Sequence, residues 1–154
     1  MNLLNYIAPY FDRIYSRAPK NPSRQRRFLL YSFGRSGSTA IADEIASADN
    51  AVCYQEPIVA GHHFGGELRE NLVKQYKREG AFNSKGNNFI RYGILLEANP
   101  ALTEGQYLDI IENFEGHQNK LAVGIKQVQG QIETYPKFWR EFRRRGYITF
   151  CLMR

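Results

Sequence analysis

Cysteine is scarce in this chain, with Cys53 and Cys151 the two instances among 154 residues. No disulfide framework can be drawn from them, and there is no CxxC pair to suggest a structural zinc site. Each lies inside an apolar, strand-like run, so both are expected to be buried reduced thiols. Long apolar runs are missing as well: none approaches the roughly 18 uncharged residues that cross a bilayer. The N-terminus also lacks the short basic stretch followed by a continuous apolar region of a secretory signal. A cytoplasmic protein is the resulting expectation. Internal repeats, low-complexity tracts and a linker that would divide the chain are absent too, which argues for one main domain.

What is present suits a domain with a sizeable core. Hydrophobic residues make up 43% and aromatics 14% of the chain, and a chain of this length buries roughly 70% of its unfolded surface. The net charge is +6, with the basic excess gathered at Arg13 to Arg27 and at Arg140 to Arg145. Such patches are either solvated faces or surfaces for an anionic partner. Residues 1–25 form a separate amphipathic and basic segment, in which Leu3, Leu4, Ile7, Tyr10, Phe11 and Ile14 recur at helical spacing. That stripe is expected either to pack across the domain or, with the basic stretch up to Arg27, to make a peripheral membrane contact.

From residue 26 onward, strand-like runs at Phe28 to Phe33, Ala51 to Gln55, Leu121 to Val128 and Tyr147 to Met153 alternate with stretches of helical periodicity. The helical candidates are Thr39 to Ala48, Glu67 to Arg78, Thr103 to Phe114 and Pro136 to Arg145. Alternation of this kind predicts an α/β domain with helices covering a central parallel sheet. Thr103 followed by Gln106 has the form of a capping box. Gly61 to Gly66 and Ala81 to Asn88 read as loops.

The first strand empties into SFGRSGST, Ser32 to Thr39. A strand, a Gly/Ser turn and a helix beginning at Ser38 or Thr39 bring free backbone N–H groups and the positive end of a helix dipole together, which favours an anion. Laid on the phosphate-loop pattern GxxxxGK[ST], Gly37 and Thr39 match, while Ser32 replaces the first glycine and Ser38 the lysine. An ordinary nucleoside triphosphatase needs that lysine at the β- and γ-phosphates. Arg35, inside the turn, offers a cation of a different kind. A nucleophile elbow stretched over Ser36 to Ala40 would need a later acid and histidine. His62, His63 and His117 are unsuited to that role, and the adjacent pair lacks the spacing of a metal site.

These residues resemble a known family. RRFLLYSFGRSGSTAIADEIA, YQEP, VGIKQVQGQ and GYITFCLMR are similar, in that order, to the N-terminal half of sulfotransferases that use 3′-phosphoadenosine-5′-phosphosulfate (PAPS), with the nearest likeness to the bacterial carbohydrate branch. The resemblance covers residues 26–154, and RSGST is its specific element. It implies a P-loop-like three-layer fold, incomplete at the C-terminus, in which Arg35, Ser36, Gly37, Ser38 and Thr39 wrap the 5′-phosphosulfate of PAPS without a metal. It further implies Glu56 as general base on an acceptor hydroxyl and Arg154 as a ligand of the 3′-phosphate. Lys126 sits in a predicted strand, where a charged side chain calls for either a sheet-edge or sheet-end position or, as the resemblance implies, a place beside the transferring group.

The function expected is therefore sulfuryl transfer from PAPS to a hydroxyl of a carbohydrate or other small acceptor, by a fragment or truncated form, with no nucleic-acid partner. Two alternatives stand beside it: a non-catalytic P-loop-like module for nucleotides or polyanions, and a degenerate P-loop small-molecule kinase.

Overall fold

The computed structural model describes residues 25–34, 36–60, 66–67, 70–71, 74, 91–113 and 119–153. Among them, β1 (Arg26–Ser32), β2 (Ala51–Gln55), β3 (Ala122–Val128) and β4 (Ile148–Leu152) form one sheet in the order β2-β3-β1-β4, with every pairing parallel. The helices are α1 (Ser38–Ala46), α2 (Tyr92–Ala98), α3 (Glu104–Glu112), α4 (Gln129–Glu133) and α5 (Lys137–Arg144). The expected α/β class with a central parallel sheet is what the chain adopts.

Alternation along β1 builds the three layers. Phe28 and Leu30 turn to one face, where they pack with Ile41, Ala42 and Ile45 of α1; Leu29, between them, points to the opposite face. There it joins Tyr92, Ile94 and Leu95 of α2, Tyr107, Leu108 and Ile111 of α3, and Phe138 and Phe142 of α5. Strands clothed on both faces read as nearly continuous apolar runs, which is why FLLYSF and AVGI carry no polar alternation. At Gly124 a side chain is excluded, because a Cβ there would lie 2.0 Å from Cζ of Phe28, its partner across the β1–β3 ladder.

The expected strand positions hold to within one or two residues, and β2 holds at both ends. Thr103 caps α3 through the anticipated box: its hydroxyl accepts from the Gln106 amide at 3.2 Å, and the Gln106 side chain accepts from the Thr103 amide at 2.9 Å. Two helices carry no clear signal in the sequence. The run YGILLEA of α2 is short, carries a glycine at its second position and has no side-chain cap among the described residues, and QGQIE of α4 spans little more than one turn. Of the candidate Glu67 to Arg78, the backbone is helical at 66–67, 70–71 and 74, and the remainder lies outside the described residues. So do the segment 1–24, the loop Ala81 to Asn88 and nearly all of the loop Gly61 to Gly66.

The cysteines divide, and the expectation of two buried thiols needs correcting. Cys53 is buried in β2, whereas Cys151 is exposed. The reason is position: among the described residues β4 ends the strand order, pairs with β1 alone and is exposed or half-exposed along its whole length. An apolar composition cannot distinguish such a strand from an interior one. Among the described residues, no helix is long and apolar enough to cross a membrane.

Candidate functional site

Connections leave the two central strands in opposite directions. After β1 the chain enters α1 on one face; after β3 it enters α4 and α5 on the other. Adjacent parallel strands whose connections diverge leave a crevice outside their carboxyl ends, the usual ligand position in open α/β sheets. Ser32, Val128 and Gln55, the last residues of β1, β3 and β2, border that crevice.

On the α1 side the turn after β1 closes at Gly37, whose φ of 75° lies in the left-handed region that glycine enters freely. Among the described residues no side chain caps α1, so its first-turn N–H groups retain the affinity for an anion that helix N-termini carry. Ser38 is buried, and its hydroxyl accepts from Ser32 at 3.0 Å, tying helix to strand. Thr39 is exposed. Ser36 has a buried hydroxyl with no hydrogen-bond partner among the described residues. Arg35 and Arg154, both expected at the cofactor, lie outside the described residues.

Lys126 reaches this turn from β3. The strand is interior, between β2 and β1, so an edge position does not account for the charge. Its side chain is 2% exposed, donates to Thr39 Oγ1 at 3.4 Å and forms a short ion pair with Glu56 Oε1. Its ammonium, carried on the strand next to β1, thus touches the hydroxyl that ends the turn.

Glu56 follows β2 directly and has φ 51°, in the left-handed region that a non-glycine residue occupies at a cost of about 1 kcal/mol or more. Several contacts hold the bend. The Glu56 amide donates to the Lys126 carbonyl at 2.7 Å, Arg91 Nε donates to the Glu56 carbonyl at 3.3 Å, and the Pro57 carbonyl accepts from the Tyr92 amide at 2.8 Å and the Tyr107 hydroxyl at 3.1 Å. Burial pushes the Glu56 carboxyl up, but hydrogen bonds from Gln131 and Lys126 and the charges of Lys126 and Arg91 outweigh it, leaving its pKa below the ordinary glutamate value. The group is therefore a carboxylate at neutral pH.

The expected Glu56, Lys126 and Thr39 come together, with Ser36, Gly37 and Ser38 in the adjoining turn. The sequence reading missed Ser32, Gln127, Gln131 and Arg91. Gln127 is fully buried at the end of β3, and a buried amide in an apolar strand is the signal that would have found it. No protein-family model matches this chain, and neither a curated protein nor a solved structure does.

Proposed function

We propose that the chain carries the donor-side and base-side groups of a sulfotransferase that moves a sulfuryl group from PAPS to a hydroxyl of a carbohydrate or other small acceptor. The observation that carries this reading is the meeting of Thr39, Lys126 and Glu56 at the carboxyl ends of three adjacent parallel strands. An anion-binding turn, a buried ammonium and a carboxylate within one crevice are the parts that in-line transfer to a hydroxyl requires.

The residues present fit the phosphosulfate end of PAPS. The N–H groups at the start of α1, the Ser36 hydroxyl, without a partner among the described residues, and the Thr39 hydroxyl supply donors for anionic oxygens. Bound PAPS supplies an activated sulfuryl group on a phosphate leaving group. Glu56 takes the proton of the acceptor hydroxyl as the new O–S bond forms and the S–O bond to phosphate breaks, yielding a sulfate ester and 3′,5′-ADP. Lys126 offsets negative charge on the transferring group. As its ammonium turns from Glu56 to that group, Glu56 loses a partner that favours its ionised form and becomes the stronger base. Arg35 and Arg154 complete this reading as ligands of the phosphosulfate and of the 3′-phosphate.

Calorimetry with 3′,5′-ADP tests the donor site, and transfer of radiolabelled sulfate from PAPS to a panel of glycans tests the reaction. Binding that weakens about tenfold in Arg35→Ala and Thr39→Ala is expected. Absence of binding, or binding indifferent to both substitutions, would sink the assignment.

A further inference from the structure

Two side-chain amides, Gln131 and Gln127, form a chain behind Glu56 whose direction is fixed at its far end by backbone. The Ile58 amide can only donate, and it donates to Gln127 Oε1 at 3.1 Å; the Ile58 carbonyl can only accept, and it accepts from Gln127 Nε2 at 2.8 Å. This pair of hydrogen bonds leaves the Gln127 amide one orientation. Its Nε2 also donates to Gln131 Oε1 at 2.7 Å, which turns Gln131 Nε2 outward to donate to Glu56 Oε2 at 2.7 Å.

We infer that Gln131, oriented by Gln127, is a positioning residue that occupies Oε2 of Glu56 and presents Oε1 toward Lys126 and the loop as the proton-accepting oxygen. The inference rests on the reading of Glu56 as the base. The geometry is specific because Lys126 and Gln131 approach Glu56 from opposite faces of the sheet. Lys126 projects to the α1 side, whereas Gln131 belongs to α4, which packs on the other. Gln131 keeps Oε2 when Lys126 turns to the transferring group, so a hydroxyl reaching Oε1 meets a fixed carboxylate rather than a rotating one. Among the described residues, the charged groups facing Glu56 are Lys126 of β3 and Arg91 ahead of α2, so Gln131 is the neutral contributor on the second oxygen.

Gln131 is half-buried, and Gln131→Met keeps its length while removing the donor. The full chain labelled with ¹³C at glutamate carboxyls reports Glu56 directly, the resonance being identified by its loss in Glu56→Gln. The expected result is a Glu56 titration moved to higher pH in Gln131→Met and further in Gln131→Glu, where a second carboxylate faces the first. In sulfuryl transfer, kcat falls about 10- to 100-fold with KM for PAPS within twofold. A titration unmoved in both variants overturns the role of Gln131 even in an active enzyme. A wild-type chain that binds 3′,5′-ADP but transfers no sulfuryl group to any acceptor overturns Glu56 as base, and the role of Gln131 falls with it.

Discussion

Lys126 and Glu56 are joined twice across the carboxyl end of the sheet: ammonium to carboxylate through their side chains, and Lys126 carbonyl to Glu56 amide through their backbones at 2.7 Å. The backbone bond places the glutamate, and the ion pair then neutralises a lysine that strand β3 carries into the interior. The two partners are unequally sheltered, with side chains 2% and 29% exposed. That asymmetry makes their removal unequal. Glu56→Gln strands a buried ammonium without counter-charge and is expected to cost about 2 kcal/mol, discounted from a fully buried pair for the partial exposure of the carboxylate. Lys126→Met leaves a carboxylate that still reaches water and keeps Gln131, and should cost less. Urea denaturation of both variants and of the double variant checks this; a costlier Lys126→Met would show that burial of the lysine is not what the pair compensates.

The close approach of β3 to Phe28 yields a prediction free of any functional reading. In Gly124→Ala the new Cβ would sit 2.0, 2.1 and 2.5 Å from three ring carbons of Phe28, inside a sheet packed on both faces. The expected loss is about 3 kcal/mol, at the upper end for overpacking. In a domain of this size it appears as a fall in Tm of roughly 6 to 12 °C. Phe28→Leu removes the ring, so the double variant should be more stable than the sum of the single losses predicts. Strict additivity would mean that the strand moves instead of the ring.

The cysteines separate by reactivity. Burial pushes the Cys53 thiol up to about 12, and a thiolate is the reactive form; Cys151 stands exposed on β4. Ellman's reagent should therefore modify one thiol per native chain quickly and two in denaturant, and Cys151→Ser should abolish the fast native reaction. Two fast thiols in the native protein would contradict the packing of β2 against β3 and α1.

Strands and their two-sided burial were legible because apolar runs flanked by turns are a local signal, as in AVCYQ and FLLYS. Lys126 was legible as a charge inside an apolar strand, Thr39 as the hydroxyl that ends the phosphate-loop pattern, and Glu56 through the family resemblance alone. Their mutual contact was not, since it depends on β3 lying between β2 and β1, an order set by pairings between residues as far apart as Phe28 and Gly124. Gln127 and Gln131 stayed hidden because an uncharged amide earns notice only when its buried surroundings are known. Cys151 was misread on the same ground, since interior and end strands share a composition.

Acid should expose the ion pair thermodynamically. The Glu56 carboxyl is held below the ordinary glutamate value of 4.5 in the folded chain, whereas unfolding restores it to that value. With a depressed native pKa, the unfolded state binds the proton first as pH falls. The carboxylate's contribution is therefore fully present above the ordinary carboxyl range and is lost as pH drops through the native pKa. Glu141 is shifted in the same direction by Arg144 and Arg145, so acid sensitivity of the wild type alone would not identify the group. The difference in unfolding free energy between wild type and Glu56→Gln removes that background. It should stay constant from pH 8 to pH 5 and shrink below the carboxyl range. A difference that persists undiminished to pH 3 would mean that the Lys126 pairing does not depend on the charge of Glu56.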